Sequence, residues 1–503
     1  MKVFRLGSAA FSLASVLLLA TVSTLAQKNT AAELPSTKLG ALVGEWITLI
    51  ENGSEKAIAK FVENSFSSAG KSGDGAREAI YTMRKLHLQS GGLEILTVTP
   101  PNGPFGLTLT VKAKRGDNYA RIAIGEDDRE PGKIIGFGIW RVEPPNIDRS
   151  IKWPDKPLNE AALIKEIERQ VALRANEGRF SGVVLIARDD EVLLQVAHGM
   201  AERSFGVKNA LNTKFNLASV GKMFTATAIA QLVKQGRLSY DDKLIEHLPD
   251  FPRREAAEKI TIHQLLTHTA GMGTLFGSPD YQRLRRYRNS WDEVSAFANE
   301  KLFFEPGKGW RYSNAGYVTL GAVIERISGM DYIDYVRKNV FKPLEMNDTG
   351  YYAHDEVVPN LSVLYVRSPD DPLGLEPYVA DHILAGYRGN AEGGGYATAM
   401  DLFKFARSYR TGELLGEKAQ AALVDVKVDE DGKGARFYGY GLQHSVINGE
   451  TVRGHSGGGR THLQMLWDSG YTVIVMTNTV PPPATDLSGE IVRFITKQKA
   501  LER

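Results

Sequence analysis

The chain has 503 residues, of which 43% are hydrophobic, so it is long enough for two or three domains and apolar enough to form large cores. Its 61 Lys and Arg residues nearly balance 59 Asp and Glu residues, which gives no electrostatic reason to expect nucleic acid or an acidic membrane as a partner. Because the chain lacks cysteine, disulfides, thiolate metal sites and cysteine nucleophiles are excluded.

The first 26 residues have the pattern of an export signal. Lys2 and Arg5 give a basic start, residues 9–22 are apolar apart from two serines and a threonine, and small residues precede Gln27. We therefore expect a signal peptide over residues 1–26 and a periplasmic or extracellular protein. An uncleaved anchor is the alternative, although the apolar run is short for a membrane span.

The residues after the leader predict a small α+β domain over 37–143. Apolar residues recur at helical spacing through 37–66 and 76–89, and the period then changes to two. The predicted strands of an antiparallel sheet are 93–98, 107–111, 119–124 and 134–140. This order of elements loosely resembles the nuclear-transport-factor-2-like domains. The domain carries no catalytic constellation that the sequence reveals, so its role stays open.

Residues 144–159 contain prolines and charges with little apolar period, and they predict a linker to a second domain over 160–503. This domain begins with a helix and two strands, continues with a mostly helical middle to about residue 345, and returns to strands before a C-terminal helix. Strands at both ends of a helical segment predict one sheet assembled from distant parts of the chain, in a mixed α+β fold.

Ser219 and Lys222 are the first candidate catalytic residues. They stand at the start of an Ala-rich helical pattern that ends at Gly236, so they should share one helix face. A serine hydroxyl needs a neighbour to take its proton, and a lysine one turn away can do that or tune a second base. Ser68 and Lys71 have the same spacing but lie in a Gly-rich loop with no apolar helix after it.

The second motif is Tyr312-Ser313-Asn314, which follows a turn and precedes a helical pattern. A tyrosinate beside an ammonium can serve as a general base, because the positive charge lowers the phenol pKa. Asn314 could hold the lysine and a substrate amide. The structural alternative is an ordinary turn tyrosine with a capping asparagine.

The third motif is Gly454-His455-Ser456-Gly457-Gly458-Gly459, between two strand patterns. Such a Gly-rich edge lets substrate lie against the backbone and lets an N–H point at an oxyanion. The same letters spell Gly-x-Ser-x-Gly, the nucleophile elbow of α/β-hydrolases, with Ser456 as nucleophile. That elbow needs a following helix and a later acid and histidine, whereas here a strand pattern follows and the later histidine, His462, is only six residues away.

These motifs, in this order, resemble the serine β-lactamase and penicillin-binding-protein superfamily, in its class C-like, D-alanyl-D-alanine carboxypeptidase and esterase branch. The resemblance covers roughly residues 160–500 and is supported by the segments 265–272, 305–307 and 393–402. It implies an antiparallel sheet flanked by helices with a helical subdomain, and it implies neither a metal nor a cofactor.

The resemblance also implies roles for single residues. Ser219 would be the acylated nucleophile, Lys222 and Tyr312 the proton-transfer pair, and Asn314 a positioning residue. The N–H groups of Ser219 and Gly458, beside Gly457, would form the oxyanion hole. His455 departs from the pattern, because the resembling enzymes usually place a lysine of a Lys-Thr-Gly triplet there to bind the substrate carboxylate.

The sequence therefore predicts an exported serine hydrolase that forms an acyl-enzyme on an ester or amide of a small molecule or short peptide. Because histidine is mostly neutral at pH 7, penicillin-like substrates are less favoured, and carboxylate substrates should improve only as His455 becomes protonated. The alternatives are a catalytically idle peptide- or peptidoglycan-binding protein of the same fold, and an α/β-hydrolase-type esterase that uses Ser456.

Overall fold

The computed structural model describes most of the chain from residue 33 to residue 502. The described ranges are 33–71, 75–99, 106–116, 118–127, 129–142, 152–273, 289–353, 355–366, 378–381, 388–430, 432, 434, 436–480 and 483–502. The predicted signal peptide over 1–26 lies outside them. The chain divides into two compact units, of which the first comprises residues 1–150 and 366–379 and the second residues 151–365 and 380–503.

The first unit places three helices before a sheet of four antiparallel strands in the order β1-β2-β3-β4. Its elements are α1 (Lys38–Asn52), α2 (Glu55–Ser65), α3 (Gly75–Ser90), β1 (Leu93–Thr99), β2 (Leu107–Ala113), β3 (Tyr119–Glu126) and β4 (Ile134–Val142). Thr37 and Ser54 cap the first two helices by accepting backbone N–H groups, as short hydroxyl residues do at N-caps. Alternate residues of β2, including Leu109 and Val111, are buried in the core of this unit together with Trp46 of α1.

The second unit is built on one eight-stranded antiparallel sheet, in the order β13-β14-β15-β16-β17-β18-β5-β6. Its strands are β5 (Gly182–Arg188), β6 (Glu191–His198), β13 (Val428–Asp429), β14 (Phe437–Tyr438), β15 (Gln443–Ile447), β16 (Glu450–Gly457), β17 (Thr461–Leu466) and β18 (Tyr471–Thr477). Strand β18 pairs with β5, so strands from the two ends of this unit are neighbours in one sheet. The predicted assembly of one sheet from distant segments is confirmed.

Short strands and helices complete the second unit. The short strands of this unit are β7 (Met200–Glu202), β8 (Val207–Lys208), β9 (Phe215–Asn216), β12 (Tyr396–Ala397) and β19 (Thr479–Val480). The strands β10 (Tyr365–Val366) and β11 (Val379–Ala380) each have one residue in either unit. The helices are α4 (Glu160–Asn176), α5 (Lys222–Lys234), α6 (Leu244–His247), α7 (Arg254–Ala257), α8 (Ile262–Leu266), α9 (Ser290–Val294), α10 (Asn314–Ser328), α11 (Tyr332–Val336), α12 (Ala399–Thr411), α13 (Glu417–Val424) and α14 (Ala484–Glu502). Two single turns adjoin helices, a 3₁₀ turn over Ala218–Gly221 and a π-helical turn over Arg337–Phe341.

Both faces of the large sheet are covered, which is why β18 is buried along its whole length. Because side chains alternate across a strand, Val473 and Val475 pack into the core that also holds residues of α4 and α14. Ile474 and Met476 face the opposite core, which contains α5, α10 and α12. Helix α5, which follows Ser219, therefore lies in the larger of the two cores and is held rigidly.

Residues 152–159, within the predicted linker, pack against α14 of the second unit. The Trp153 ring lies 4.5 Å from the ring of Phe494, and the Leu158 N–H donates to Gln498 Oε1 at 2.8 Å. No helix within the described ranges combines the length and the apolar character that crossing a bilayer would need.

The prediction that Ser456 could be an α/β-hydrolase nucleophile is wrong. Ser456 lies inside β16, an antiparallel strand, and the next element is β17 rather than a helix. His462 pairs with Ser456 across the strands but binds Ser488 through its Nδ1, and the ring is 8% exposed. The strand-turn-helix that presents the nucleophile in that class of enzyme is not formed here.

Candidate active site

The Ser219 turn is the 3₁₀ turn Ala218–Gly221, which leads directly into α5. Ala218 has φ +43°, a left-handed conformation that a residue with a Cβ rarely adopts. Asn216 holds this conformation, because its Oδ1 accepts the Ala218 N–H at 3.0 Å and its carbonyl accepts the Thr461 hydroxyl at 3.0 Å. Strain held in this way typically marks a functional turn, and it presents a half-buried Ser219 at the start of the helix.

Lys222 is the first residue of α5 and is fully buried. Its Nζ lies 3.3 Å from Ser219 Oγ, 2.8 Å from Asn314 Oδ1 and 2.6 Å from the carbonyl oxygen of Glu392. The structure therefore brings together Ser219, Lys222 and Asn314, as the motifs predict, although 92 residues separate Lys222 from Asn314.

Tyr312 lies next to this group, with its ring centroid 4.9 Å from Lys222 Nζ. Ser313 caps α10 by accepting the Gly316 N–H, so the capping residue is Ser313 and not Asn314. Burial raises the pKa of Tyr312 above its usual value, while Lys222 and a hydrogen bond with Ser219 lower it in part. The expectation that Lys222 brings this phenol pKa below its usual value is therefore wrong for the resting site, because desolvation of the phenolate outweighs the ammonium.

His268 packs against Tyr312 and binds the residues on either side of it. Its ring lies 4.3 Å from the Tyr312 ring, and its Nδ1 accepts the Ser313 N–H at 3.1 Å. Its carbonyl accepts the Arg311 N–H at 3.0 Å, so both neighbours of Tyr312 are bound to one residue. Burial lowers the pKa of His268 well below its usual value, so the ring is neutral and positions the tyrosine without competing for a proton.

His455 lies in β16 beside the site, but it does not offer a nitrogen to substrate. The ring is 1% exposed, its Nε2 accepts the Tyr438 hydroxyl at 2.9 Å, and its Nδ1 donates to the Ser456 carbonyl at 2.7 Å. Burial, with a smaller contribution from Lys222, lowers the pKa of His455 to about 3. The expectation that His455 binds a substrate carboxylate as pH falls is therefore wrong, because both nitrogens are occupied and the ring stays neutral.

Gly457 and Gly458 close the site opposite the serine. A Cβ on Gly457 would lie 2.0 Å from the Leu217 carbonyl oxygen, and Gly458 has φ +50° with its would-be Cβ 3.4 Å from the Cβ of Ala218. Only residues without a side chain let the end of β16 approach the Ser219 turn this closely. The structure thus brings both glycines beside the nucleophile, where the N–H groups of Ser219 and Gly458 are expected to bind an oxyanion.

Glu392 is a site residue that sequence reasoning missed. It precedes Gly393-Gly394-Gly395, which lies in the segment 393–402 that supports the family resemblance. Its Oε2 lies 3.2 Å from Lys222 Nζ, and its side chain is 14% exposed. The glycines were the available signal, because a run of three predicts a close approach of the loop to another backbone.

Two further residues test the motif assignments. Lys71, in the decoy Ser-x-x-Lys, forms an ion pair with Glu63 at 3.2 Å in a surface turn. Arg460 donates to Asn216 Oδ1 at 2.9 Å and so helps to fix the Ser219 turn. Within the described ranges, no group of three or more His, Asp or Glu side chains is arranged to hold a metal ion.

The geometry supports acyl transfer. A half-buried hydroxyl stands next to a buried ammonium, a phenol and a pair of glycine backbones, which are the parts that nucleophilic attack on a carbonyl requires. Neighbouring aromatic rings and the buried His455 surround this group with a low-dielectric environment, which strengthens its electrostatic interactions.

Comparison with known proteins gives the same picture. The chain matches the family described as Beta-lactamase over residues 163–496. It is 33% identical over 322 residues to penicillin-binding protein 4* of Bacillus subtilis (strain 168), covering 60% of this chain and 68% of that protein. It is 30% identical over 366 residues to esterase EstB of Burkholderia gladioli, covering 64% of this chain and 92% of that protein.

A solved structure agrees with these relatives. The penicillin binding protein from Bacillus halodurans superposes with a TM-score of 0.57 and 29% identity, over 64% of this chain and 98% of that chain. The family match over residues 163–496 includes Ser219, Lys222, Tyr312 and the Gly-rich strand end. The chain belongs to the beta-lactamase family.

Proposed function

We propose that this protein is an exported serine hydrolase that cleaves an ester or an amide through an acyl-enzyme on Ser219. The observation that carries the proposal is the contact of 3.3 Å between Ser219 Oγ and Lys222 Nζ, on a strained turn that also faces Tyr312. A merely structural serine would not need a left-handed alanine before it and a fully buried lysine after it.

In the first half of the reaction, Ser219 Oγ attacks the substrate carbonyl carbon while its proton passes to the Lys222–Tyr312 pair in its singly deprotonated form. The N–H groups of Ser219 and Gly458 stabilise the oxyanion. The pair then protonates the leaving alcohol or amine, and the carbonyl re-forms as the acyl-enzyme. In the second half, water gives a proton to the same pair and attacks the carbonyl carbon of the acyl-enzyme, and the pair returns that proton to Ser219 Oγ as the acid is released.

The charges around the site favour neutral acyl groups. His455, in the place of the usual lysine, is neutral and both of its ring nitrogens are hydrogen-bonded within the protein, while Arg460 donates one of its N–H groups to Asn216 Oδ1. Lys222, the buried cation beside Ser219, is paired with Glu392. We therefore propose acyl esters and amides without a carboxylate at this position as the substrate class, and the relative named esterase EstB supports an ester.

The test is a labelling experiment with a matched pair of serine variants. The full-length protein is treated with a fluorophosphonate probe and with a short-chain p-nitrophenyl ester, and the adduct is located by peptide mass spectrometry. Ser219→Ala should abolish both labelling and turnover without changing the melting temperature, whereas Ser456→Ala should keep most activity.

Two outcomes contradict the proposal. An adduct on a Ser456 peptide would move the nucleophile to β16. A wild-type protein that folds, is not labelled and hydrolyses neither short esters nor amides would favour the idle binding protein. Export is tested separately, by finding whether the protein recovered outside the cytoplasm begins at Gln27.

A further inference from the structure

The loop Asn390–Gly394 lies directly against the Ser219 turn. The Gly394 N–H donates to the Ala218 carbonyl at 3.1 Å, and a Cβ on Gly393 would lie only 2.2 Å from the same oxygen. On the other side, a Cβ on Gly221 would lie 2.9 Å from the Gly393 Cα. Because two backbones meet here without side chains between them, Glu392 is set at a fixed distance from Ser219 and Lys222.

Side chains from two helices fix Glu392 further. Thr225 of α5 donates to the carbonyl of Ala391 at 2.6 Å. Asn390 accepts the Glu392 N–H at 2.8 Å and donates through its Nδ2 to Glu293 of α9 at 2.6 Å. Glu392 is therefore held by the core, unlike an exposed ion pair whose partners move freely.

Counting protons at Lys222 shows what Glu392 does. A lysine ammonium has three N–H donors and no acceptor. Besides the hydroxyls of Ser219 and Tyr312, three oxygens lie within reach of Nζ, namely Asn314 Oδ1 at 2.8 Å, the Glu392 carbonyl at 2.6 Å and Glu392 Oε2 at 3.2 Å. These three can take all the ammonium protons, and the carboxylate adds a full negative charge, so the surroundings favour the charged lysine over the free amine.

We propose that Glu392 is a positioning residue that acts through Lys222, holding it as an ammonium and raising the pH at which the Lys222–Tyr312 pair becomes a base. The proposal rests on the proposed function, because it concerns the protonation of the same site. A carboxylate within a few Å stabilises every protonated state beside it, whether the proton is on the lysine or on the phenol. Its negative charge also raises the pKa of Tyr312.

The other titratable groups around this pair do not reverse the sign. They are Tyr351, Tyr317, Tyr438, Arg460, Glu293, His268 and His455, and burial raises the pKa of each of the three tyrosines. Burial keeps both histidines neutral and raises the pKa of Glu293 to about 8, so that carboxyl is protonated at neutral pH. Arg460 stays charged and offsets part of the Glu392 field, but it is the same in wild type and variant. Removing Glu392 therefore lowers the pKa of the base.

The test compares wild type with Glu392→Gln, which keeps an oxygen acceptor for Lys222 but removes the charge. The rate of fluorophosphonate labelling and kcat/KM for a short p-nitrophenyl ester are measured from pH 5.5 to pH 10. The acid limb of both profiles should move down by about one pH unit in Glu392→Gln, while the alkaline plateau stays within a few fold of wild type. Glu392→Asp keeps the charge and should leave the limb in place.

A matched control removes an exposed carboxylate whose charge is screened by solvent and salt. Glu258 forms an exposed ion pair with Arg254, so Glu258→Gln loses the same charge and should not move the profile at 0.15 M salt. A Glu392→Gln profile that drops evenly at all pH values, without a shift of the limb, would overturn the proposal and leave Glu392 a structural loop residue.

A second measurement does not need turnover. NMR of protein labelled at lysine Cε, with the Lys222 signal assigned by its loss in Lys222→Met, follows the lysine titration directly. The pH at which the Lys222 signal changes should be lower in Glu392→Gln than in wild type, because the variant lacks the neighbouring negative charge; if that variant does not fold, Glu392→Ala takes its place. An unchanged titration overturns the proposal, whereas unlabelled Ser219 with a shifted Lys222 titration would count against the proposed function alone.

Discussion

Replacing His455 by lysine tests whether this position recognises a carboxylate. In wild type, a pKa of about 3 leaves roughly one ring in a thousand charged at pH 6, so the carboxylate preference should not change between pH 6 and pH 9. In His455→Lys, the new ammonium would occupy a position that is 1% exposed and lies close enough to Lys222 for the two positive charges to repel each other. The substitution would also remove the nitrogen that accepts the Tyr438 hydroxyl, so we expect a loss of about 3–5 kcal/mol in the free energy of unfolding.

The assay is kcat/KM for a matched pair of substrates, one with a carboxylate and one with its methyl ester, at several pH values, together with thermal unfolding of both proteins. His455→Asn serves as a control, because it keeps a polar side chain without a charge. The reasoning is refuted if, in wild type, kcat/KM for the carboxylate substrate relative to its methyl ester rises tenfold or more as the pH falls from 8 to 6. It is equally refuted if His455→Lys is as stable as wild type and has a higher kcat/KM than wild type for the carboxylate substrate.

Two further predictions concern stability. The pKa of His444 is lowered to about 4 and those of His455 and His462 to about 3, all chiefly by burial, so in the window from about pH 6.5 to pH 4 the unfolded chain binds protons that the folded chain does not. Each of these histidines should therefore lower the free energy of unfolding by about 1.4 kcal/mol per pH unit in that window, while Glu293, whose pKa burial raises to about 8, has the opposite sign and offsets about one of the three. Urea unfolding that gives the same stability at pH 7 and pH 5 would contradict this. A fragment of residues 152–503 should melt higher than one of residues 160–503, because only the longer one keeps the Trp153 packing on Phe494, worth about 1–3 kcal/mol; equal melting temperatures would show that this packing is not stabilising.

The local part of the site could be predicted from the sequence. Ser219 and Lys222 are three residues apart before an Ala-rich helix, and the strand patterns around Gly457 predicted β16 and β17, so helix and strand periodicity was enough. Glu392 could not be found in this way, because its contact with Lys222 spans 170 residues and depends on how the triglycine loop meets the Ser219 turn. Periodicity describes one element at a time and carries no information on which loop reaches it.

Burial explains the two corrected chemical expectations. A lysine beside Tyr312 predicts a lowered phenol pKa, and a histidine in β16 predicts a titratable ring, when each is considered in water. In the folded chain, desolvation is the largest cause of the pKa shift at both residues. It raises the pKa of Tyr312, against the effect of Lys222, and it lowers the pKa of His455 so far that the ring stays neutral. How much water a side chain loses depends on the packing of several distant elements, so the sign of such a shift does not follow from motif spacing.

The buried groups together give the site a particular protonation order. His268 and His455 border Tyr312 as neutral rings, so neither competes for the proton of Ser219. The remaining protons are then shared by Lys222 and Tyr312, and both are held on by burial of the phenol and by the Glu392 carboxylate. Reactivity must therefore be reached by removing one proton from this pair, which makes the activity of the site depend on a single ionisation near the nucleophile. In this arrangement, the neutral His455 affects the base as well as the choice between charged and neutral substrates. A lysine there would place a second ammonium beside the pair and lower the pH at which the pair becomes a base.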